Sequence, residues 1–164
     1  MKIIIDKSKI VQLNTLEFSD LVMLGTGAFS PLEGFMNKSD YWSVIKNSRL
    51  DNGIIWPIPI VVSVSCSIAN KLTAGDNIFL SSPYDDEIVG QLNIEEIYIR
   101  EAEKESKAVF GTNDINHPGV AKLLNSDNKY CLGGKVKVFS EGRYPREFPQ
   151  YARPDEVRKI FKEK

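Results

Sequence analysis

Apolar residues near the start of the chain recur at the spacing of an α-helix. Asn14 is followed three residues later by Glu17, which is the pattern of a capping box. An apolar stripe at helical spacing continues from that box: Phe18, Leu21, Val22 and Gly25. This pattern predicts a short helix that ends near Gly25.

A second helical pattern follows. Asn37 or Ser39 is suited to cap this helix, because both side chains accept hydrogen bonds from backbone N–H groups. Its apolar stripe and the flanking aromatic residue are Tyr41, Val44, Ile45 and Trp42. The Asp-Asn-Gly sequence at 51–53 favours a tight turn, and we predict that this turn stops the helix.

From Ile54 onward β-branched residues dominate and the apolar period becomes two, which is typical of strands. The first strand pattern alternates Ile60, Val62 and Val64 with Val61, Ser63 and Ser65. Further strands are predicted at 78–80 and 88–99. The prolines in Trp-Pro-Ile-Pro at 56–59 place that segment at an edge or a bend. Short strands at this spacing predict a small closed or half-closed barrel.

Helical periodicity returns after the strands. Residues 101–110 are predicted to form a helix that Gly111 ends, with Val109 and Phe110 buried at its C-terminal end. Another helical turn is predicted to begin at Pro118. Its core-facing positions are Val120, Leu123 and Leu124.

The C-terminal stretch combines a strand, an extended segment and a helix. Residues 130–139 have the strand pattern, and the aromatic and proline-rich residues 144–151 are predicted to form an extended strap. A last helix is predicted to begin at Pro154, with Asp155 and Glu156 in its first turn. Its apolar stripe is Val157, Ile160 and Phe161.

The segment at 25–36 is apolar but cannot be helix or strand throughout. It reads Gly-Thr-Gly-Ala-Phe-Ser-Pro-Leu-Glu-Gly-Phe-Met. Glycine is needed where φ is positive or where another backbone comes close, and proline fixes φ and removes a donor. We therefore predict a loop with one specific conformation, docked onto a core by Phe29, Leu32, Phe35 and Met36.

Composition limits the classes of protein to which the chain can belong. Of its 164 residues 42% are hydrophobic, which fits one soluble domain with its own core. The formal net charge is -1, so no global field attracts nucleic acid or an anionic membrane. Residues 135–164 carry 9 Lys or Arg and 5 Asp or Glu, and this local net charge of +4 marks a candidate contact surface.

Cysteine content and hydropathy indicate a compartment. Cys66 and Cys131 lack Cys-x-x-Cys spacing, which disfavours a metal site and a disulfide framework. The N-terminal apolar run is too short for a signal peptide, and no segment reaches transmembrane length. We therefore expect a cytoplasmic protein without a membrane partner.

The titratable residues give no catalytic, cofactor-binding or metal-binding site that we can assign. His117 is the only histidine and no further ligand accompanies it, which favours a structural or hydrogen-bonding role. The acidic turn at 85–87 is interpreted as solvated surface. Neither Gly-x-Gly at 25–27 nor Gly-Gly-Lys at 133–135 has the register of a dinucleotide fingerprint or a P-loop. The basic and aromatic residues at 143–153 come nearest to a nucleic-acid surface, but packing against another domain explains them equally well.

Several short motifs follow one another across almost the whole chain. They are Gly-Ala-Phe-Ser-Pro-Leu-Glu-Gly-Phe-Met at 27–36, Arg-Leu at 49–50, Gly53, Trp-Pro-Ile-Pro-Ile at 56–60, Val-Phe-Gly-Thr at 109–112, His-Pro-Gly-Val at 117–120 and Leu-Gly-Gly at 132–134. In this order they closely resemble the N-terminal domain of the ATP sulfurylase (sulfate adenylyltransferase) family. The resemblance implies an α+β fold: a PUA-like small β-barrel, or pseudo-barrel, decorated by several short helices and forming a single domain over 1–164.

The resemblance also implies an activity for the complete family enzyme. That enzyme joins sulfate to the α-phosphate of ATP, giving adenylyl sulfate and pyrophosphate, and magnesium accompanies the nucleotide. Its catalytic signatures are a Gln-x-Arg-Asn-Pro-x-His stretch and a second histidine pair, in the domain that follows. This sequence has no Arg-Asn-Pro and only His117, so no catalytic residue is carried over. Arg153-Pro154 also departs from the Thr-Pro or Ser-Pro of the family, which weakens the cap of the last helix.

The leading hypothesis is a non-catalytic N-terminal domain of a sulfate adenylyltransferase, the nucleotidyltransferase of sulfate assimilation. Its expected partner is the catalytic domain, in the same chain or a separate one, and we expect the isolated chain to be inactive. One alternative is an RNA-binding PUA-type module, although the net charge disfavours nucleic acid as a partner. The other alternative is a stand-alone interaction domain.

Overall fold

In a computed structural model of the chain, residues 9–140 and 152–163 are described. The strands within them are β1 (Ile10–Gln12), β2 (Gly34–Phe35), β3 (Val62–Val64), β4 (Asn77–Ser81), β5 (Ile88–Ile99) and β6 (Tyr130–Val138). The helices are α1 (Thr15–Gly25), α2 (Lys38–Asn47), α3 (Cys66–Ala69), α4 (Ala102–Phe110), α5 (Pro118–Leu124) and α6 (Pro154–Lys162). Six strands and six helices are interspersed along the described residues, and this content, with the mixed sheet described next, confirms the predicted α+β class.

The strands form a mixed sheet. Its hydrogen-bonded order is β1-β4-β5-β6-β2, and β3 pairs with β6 outside that path. β1 is parallel to β4, with Ile10 opposite Phe79, whereas the β4–β5 and β3–β6 pairs are antiparallel. Within the described residues this order is an open path from β1 to β2.

The chain forms two compact units, each assembled from separate chain segments. The first unit combines Met1–Gly34, Gly75–Asn93 and Gly134–Lys164. Its buried apolar residues come from β1, α1, β4 and the first half of β5. They are Val11, Leu13, Leu21, Leu24, Ile78, Leu80, Val89 and Leu92.

The second unit combines Phe35–Ala74 with Ile94–Gly133. Its core contains β3, two residues of α2 and one residue of α5 that are almost completely excluded from water. The buried apolar residues of this unit include Phe35, Met36, Tyr41, Val44, Leu50, Val62, Val64, Ile94, Tyr98, Val120 and Leu132. Most of the sequence motifs that carry the family resemblance lie in this unit.

Local signals predicted α1 correctly. The Asn14 side chain accepts from the backbone N–H groups of Leu16 and Glu17, at 2.9 and 3.0 Å. The Glu17 carboxylate in turn accepts from the Asn14 N–H at 3.0 Å, which completes the capping box. The helix ends at Gly25, as the sequence predicts.

Three local predictions were wrong. α2 ends at Asn47 because Ser48 adopts a left-handed conformation with φ of 52°, so the helix stops before the turn at 51–53. All residues of β3 are buried, and its residues therefore do not alternate between core and solvent. Phe110 is exposed at the end of α4, and the buried residues of that helix are Glu105 and Ser106.

Other predictions are confirmed, and one falls on residues that are not described. β4, β5, β6, α4 and α5 lie where the periodicity places them, and α6 begins at Pro154. The short helix α3 was not predicted. The predicted strap at 144–151 lies outside the described residues.

Candidate functional site

The glycine-rich loop that follows α1 is held in place by its own backbone. The Phe29 N–H donates to the Met23 carbonyl at 3.3 Å, Ser30 to Gly27 at 3.2 Å and Leu32 to Phe29 at 2.8 Å. Phe29 and Leu32 are half-buried, and the two residues at the end of the segment, Phe35 and Met36, are buried. This geometry confirms the predicted loop with one specific conformation.

Gly34 is needed because two backbones come into contact. A Cβ atom at Gly34 would overlap the carbonyl group of Gly134 and the Cα atom of Lys135. Beside this contact the Val136 N–H donates to the Glu33 carbonyl at 3.1 Å. Gly34 and the Gly-Gly-Lys motif at 133–135 therefore meet where β2 pairs with β6, which gives that motif a structural role rather than that of a phosphate cradle.

The same loop is the support for α6. The Arg158 guanidinium donates to the Gly27 carbonyl, and the Asp155 N–H donates to the Thr26 carbonyl at 3.3 Å. Gly27 has a φ of 72°, and a Cβ atom there would lie 2.8 Å from the Arg158 guanidinium. Glycine is therefore favoured at position 27 for two reasons. Its φ is positive, and the absence of a side chain leaves room for the Arg158 guanidinium.

The apolar stripe of α6 does not lie on this support. Val157 is half-buried, Ile160 is 50% exposed and Phe161 is 74% exposed. Asp155 and Arg158 are three residues apart and share a face, and neither belongs to the apolar stripe. α6 is therefore attached through its polar face and leaves its apolar face open.

His117 has the structural role that the sequence favours. It is the N-cap of α5, and its Nδ1 atom accepts from the Val120 N–H at 3.4 Å. Its ring centroid lies 4.9 Å from that of Phe110. This arrangement links the Val-Phe-Gly-Thr and His-Pro-Gly-Val motifs through a ring contact and a helix cap.

A buried polar network in the second unit was missed by the sequence analysis. Glu105 is 5% exposed and receives two hydrogen bonds from Arg100, at 2.6 and 2.8 Å. Tyr41 donates its hydroxyl to the same carboxylate at 3.0 Å, and that hydroxyl accepts from the Glu101 N–H at 2.9 Å. Arg100 also donates to the Ser63 hydroxyl at 3.3 Å. The network joins α2, β3 and α4.

Burial and charge shift the pKa values of this network. Burial raises the pKa of Tyr41 far above its usual value, and the Glu105 charge adds to the rise. Burial by itself lowers the pKa of Arg100, but the hydrogen bonds and charge of Glu105 oppose this and leave the pKa raised. The guanidinium stays charged, the phenol stays neutral, and neither group is suited to proton transfer near neutral pH.

A pocket of about 380 Å³ lies beside this network in the second unit. Its walls come from the end of β5, the first turn of α4 and the segment between α5 and β6. The cationic residues of its lining are Arg100, Lys104 and Lys129. Arg100 is paired with Glu105, and Lys104 lies 3.3 Å from the Glu101 carboxylate. Because Glu101 and Glu103 also line the pocket, its wall is of mixed charge rather than the basic surface that a triphosphate favours.

The remaining predicted site candidates stay apart. Cys66 is exposed and Cys131 is buried, and neither forms a disulfide. The acidic turn at 85–87 is exposed, as the sequence predicts. Within residues 9–140 and 152–163, no three His, Cys, Asp or Glu side chains lie close enough together to hold a metal ion.

Two further observations bear on possible partners. In the part of the chain that the structure describes, no helix has the length and apolar content needed to span a bilayer. Of the basic and aromatic segment at 143–153, only Ala152 and Arg153 belong to the described residues.

The structure shows an apolar surface that the sequence analysis did not single out. We call residues 49–58 of the second unit the isoleucine loop. Ile54, Ile55 and Ile58 are 44%, 68% and 53% exposed, respectively. The available signal was three isoleucines around Trp56 and two prolines, in a segment where proline prevents burial within a sheet.

Comparisons with known proteins agree with the motif resemblance. The profile of a family described as "PUA-like domain" matches residues 3–141. A sulfate adenylyltransferase of Syntrophobacter fumaroxidans is 42% identical over 158 residues, which cover 95% of this chain and 38% of that protein. One from Entamoeba histolytica is 41% identical over 159 residues, covering 94% of this chain and 37% of that protein. The chain thus spans about two fifths of the length of the curated relatives that it matches.

A solved structure shares the fold. It is described as a hexameric APS kinase from Thiobacillus denitrificans, with a TM-score of 0.64 and 21% sequence identity. The match covers 94% of this chain and 26% of that one. Since the family profile covers most of the sequence and the α+β architecture agrees with it, the chain belongs to the PUA-like domain family.

Proposed function

We propose that the chain is the N-terminal, non-catalytic domain of a sulfate adenylyltransferase and that it packs against and supports the catalytic part. One observation carries this proposal. Relatives named sulfate adenylyltransferase match nearly all of this chain at about 40% identity, yet the match occupies only 38% of their length. We assign the catalytic domain to the part of these relatives that lies outside the match.

In this proposal the two compact units form one domain over 1–164, and the chemistry belongs to the other part of the enzyme. That part binds ATP and magnesium and joins sulfate to the α-phosphate, releasing pyrophosphate in the cytoplasm. The described residues of this chain support such a division. Gly34 allows β2 to pair with β6, His117 caps a helix, and Arg100 and Lys104 beside the pocket are each paired with a carboxylate.

A pyrophosphate-release assay with ATP, magnesium and sulfate tests the proposal. The chain alone is expected to give no sulfate-dependent pyrophosphate, whereas the full-length S. fumaroxidans enzyme serves as the positive control. Sulfate-dependent turnover by the purified chain would contradict the non-catalytic assignment.

The supporting role needs a second measurement. The catalytic remainder of the S. fumaroxidans enzyme, without the segment that matches this chain, is produced with and without the chain in the same cells. We expect more soluble and active remainder when the chain is present. Equal yield and equal activity in the two cases would contradict the supporting role.

A further inference from the structure

We propose that the isoleucine loop, residues 49–58, is the surface through which this chain docks onto the catalytic part of a sulfate adenylyltransferase. This inference rests on the proposed function and names the contact that it requires. The occupant is the polypeptide that the curated relatives carry beyond the matched region, which is more than half of their length.

The exposure of the loop is unusual for its composition. Ile54, Ile55 and Ile58 lie within five consecutive residues, and each exposes at least 44% of its surface. A single exposed isoleucine is ordinary, whereas several large aliphatic side chains exposed within a short segment are typical of a surface that contacts another molecule. Pro57 between them is also exposed and apolar.

The backbone of the loop is already fixed. The Leu50 N–H donates to the Ile54 carbonyl and the Gly53 N–H to the Leu50 carbonyl, both at 2.8 Å. The Trp56 N–H donates to the Ser48 carbonyl at 2.8 Å, and a β-bridge pairs Arg49 with Ile55. Little conformational entropy is therefore lost when the exposed isoleucines become buried in a contact.

Side chains attach the loop to its own unit. The Arg49 guanidinium donates to the Gly53 carbonyl at 2.9 Å, and the Asp51 N–H donates to the Asp40 carboxylate at the start of α2 at 2.8 Å. Leu50 is 2% exposed and fixes the base of the loop in the core. The loop is thus a rigid projection that presents apolar side chains.

The chemistry of the loop identifies the class of partner. Its three exposed isoleucines are uncharged, and its one cation, Arg49, is matched by Asp51, so the loop carries no net positive charge that would attract the phosphates of RNA or of an anionic lipid surface. An apolar protein surface suits these side chains, because burial of aliphatic area in such a contact is favourable. The relatives are about 40% identical to this chain over the matched region, and their additional polypeptide can provide such an apolar protein surface.

Co-purification tests the proposal. The tagged chain is co-expressed with the S. fumaroxidans remainder, and the ratio of the two proteins after affinity purification is measured. Ile55→Ser combined with Ile58→Ser is expected to lower the recovered remainder at least about tenfold, since central apolar contacts dominate interface energies. The matched control is Ile115→Ser, an isoleucine of the same unit that is 64% exposed outside the loop, and its expected ratio is that of the wild type.

Two added measurements make every outcome decisive. Thermal unfolding of the isolated variants is expected to match the wild type, because exposed side chains add little stability; if the double variant is destabilised, Ile55→Ser alone is used. The α6 variant Phe161→Ser tests the other exposed apolar face. An unchanged ratio for the loop variants, with wild-type recovery intact, would overturn the docking surface, as would an equal loss for Ile115→Ser.

The remaining outcomes separate the two proposals. If the wild-type chain recovers no remainder, the proposed function itself fails and the docking surface fails with it. If Phe161→Ser abolishes recovery and the loop variants do not, the function stands and the loop assignment is wrong. If sedimentation shows that the loop variants only convert a dimer of this chain into a monomer, the loop joins two copies and the proposal is overturned.

Discussion

Glu105 shows how one residue organises the second unit. It lies in the middle of α4, and its carboxylate holds Arg100 and Tyr41 together at distances of 2.6 to 3.0 Å. Transfer of a charge from water to the interior is unfavourable unless the charge is paired and hydrogen-bonded. The three side chains therefore depend on one another.

Removal of the Glu105 carboxylate should strongly destabilise the chain. Glu105→Ala leaves the Arg100 guanidinium largely buried without its partner, and we expect a loss of about 3–5 kcal/mol in the free energy of unfolding. Urea titration measures this loss. Glu33→Ala is the control, because both side chains of the Glu33–Lys135 pair are about 70% exposed and exposed ion pairs contribute little to stability. Equal effects of the two substitutions would contradict the importance of the buried network.

Tyr41 and Tyr98 should make the fold sensitive to alkaline pH. Burial raises the pKa of both phenols far above the usual value near 10. The unfolded chain therefore loses these protons as the pH passes 10, while the folded chain keeps them. The contribution of these two phenols to the free energy of unfolding is complete below pH 10. Above pH 10 it decreases by about 1.4 kcal/mol per pH unit for each phenol.

Urea unfolding at a series of pH values from 8 to 11 measures this dependence. Tyr98→Phe should remove the contribution of one phenol, so the free energy of unfolding should decrease less steeply with pH above pH 10, by about 1.4 kcal/mol per pH unit. An unchanged slope in that variant would show that Tyr98 ionises in the folded protein as it does in the unfolded chain.

Residue patterns predicted some of these positions and not others. On α4, residues Ala102, Glu105, Ser106 and Val109 share a face by helical spacing. Apolar periodicity favoured Val109 and Phe110 as the buried residues, yet the structure buries Glu105 and Ser106. The partners of Glu105 are distant in sequence or lie outside the helix, so its burial depends on tertiary contacts that periodicity does not report.

At the scale of elements, predictions succeeded where the signal was local. The capping box at Asn14 and Glu17 and the left-handed Gly111 each act within one turn, and both helix boundaries are correct. α2 ended early because Ser48, rather than a glycine, took the left-handed conformation. β3 pairs with the buried start of β6, and this pairing places its Ser63 in the core, which alternation of apolar and polar residues does not anticipate.

The pairing of β2 with β6 should depend on the absence of a side chain at Gly34. Gly34→Ala places a methyl group against the backbone of Gly134, which cannot move aside as a side chain can. We expect a loss of about 3 kcal/mol in the free energy of unfolding. Hydrogen exchange of the Val136 amide, which donates to the Glu33 carbonyl, should become faster.

Gly75→Ala is the control for this prediction. Gly75 has a φ of 94° and nothing within 4 Å of an added Cβ atom, so only backbone strain of about 1 kcal/mol is expected. Gly75→Ala should leave the hydrogen-exchange rate of the Val136 amide unchanged. If Gly34→Ala costs no more than Gly75→Ala, the close approach of the two strands is not what requires glycine.

At the scale of the whole molecule, ordered motifs identified the family, and periodicity gave the elements. Periodicity did not show which apolar surfaces remain exposed to solvent. The exposed isoleucines at 54, 55 and 58 and the open face of α6 have the composition of core residues. Sequence patterns assign such residues to the interior, because a pattern cannot show whether the covering surface lies within the chain.

The proposed partner should stabilise the chain. A protein that binds only the folded state adds about 2.7 kcal/mol at 100 times its Kd. For a chain of this length the gain corresponds to a rise of about 5–11 °C in Tm. Differential scanning calorimetry of the chain with and without the purified S. fumaroxidans remainder measures the rise, and serum albumin at equal concentration is the control. An unchanged Tm at saturating remainder would contradict a direct contact.

The attachment of α6 to the glycine-rich loop has a consequence for biosynthesis. The Arg158 donor and the Gly27 acceptor are 131 residues apart in sequence. At a synthesis rate of about 5–20 residues per second, roughly 7–26 s pass between the synthesis of Gly27 and that of Arg158. The loop that carries the clearest motif of the sequence must therefore wait, without its helix, until Arg158 has left the ribosome. During that interval the loop can form its own backbone hydrogen bonds but not the contact with Arg158.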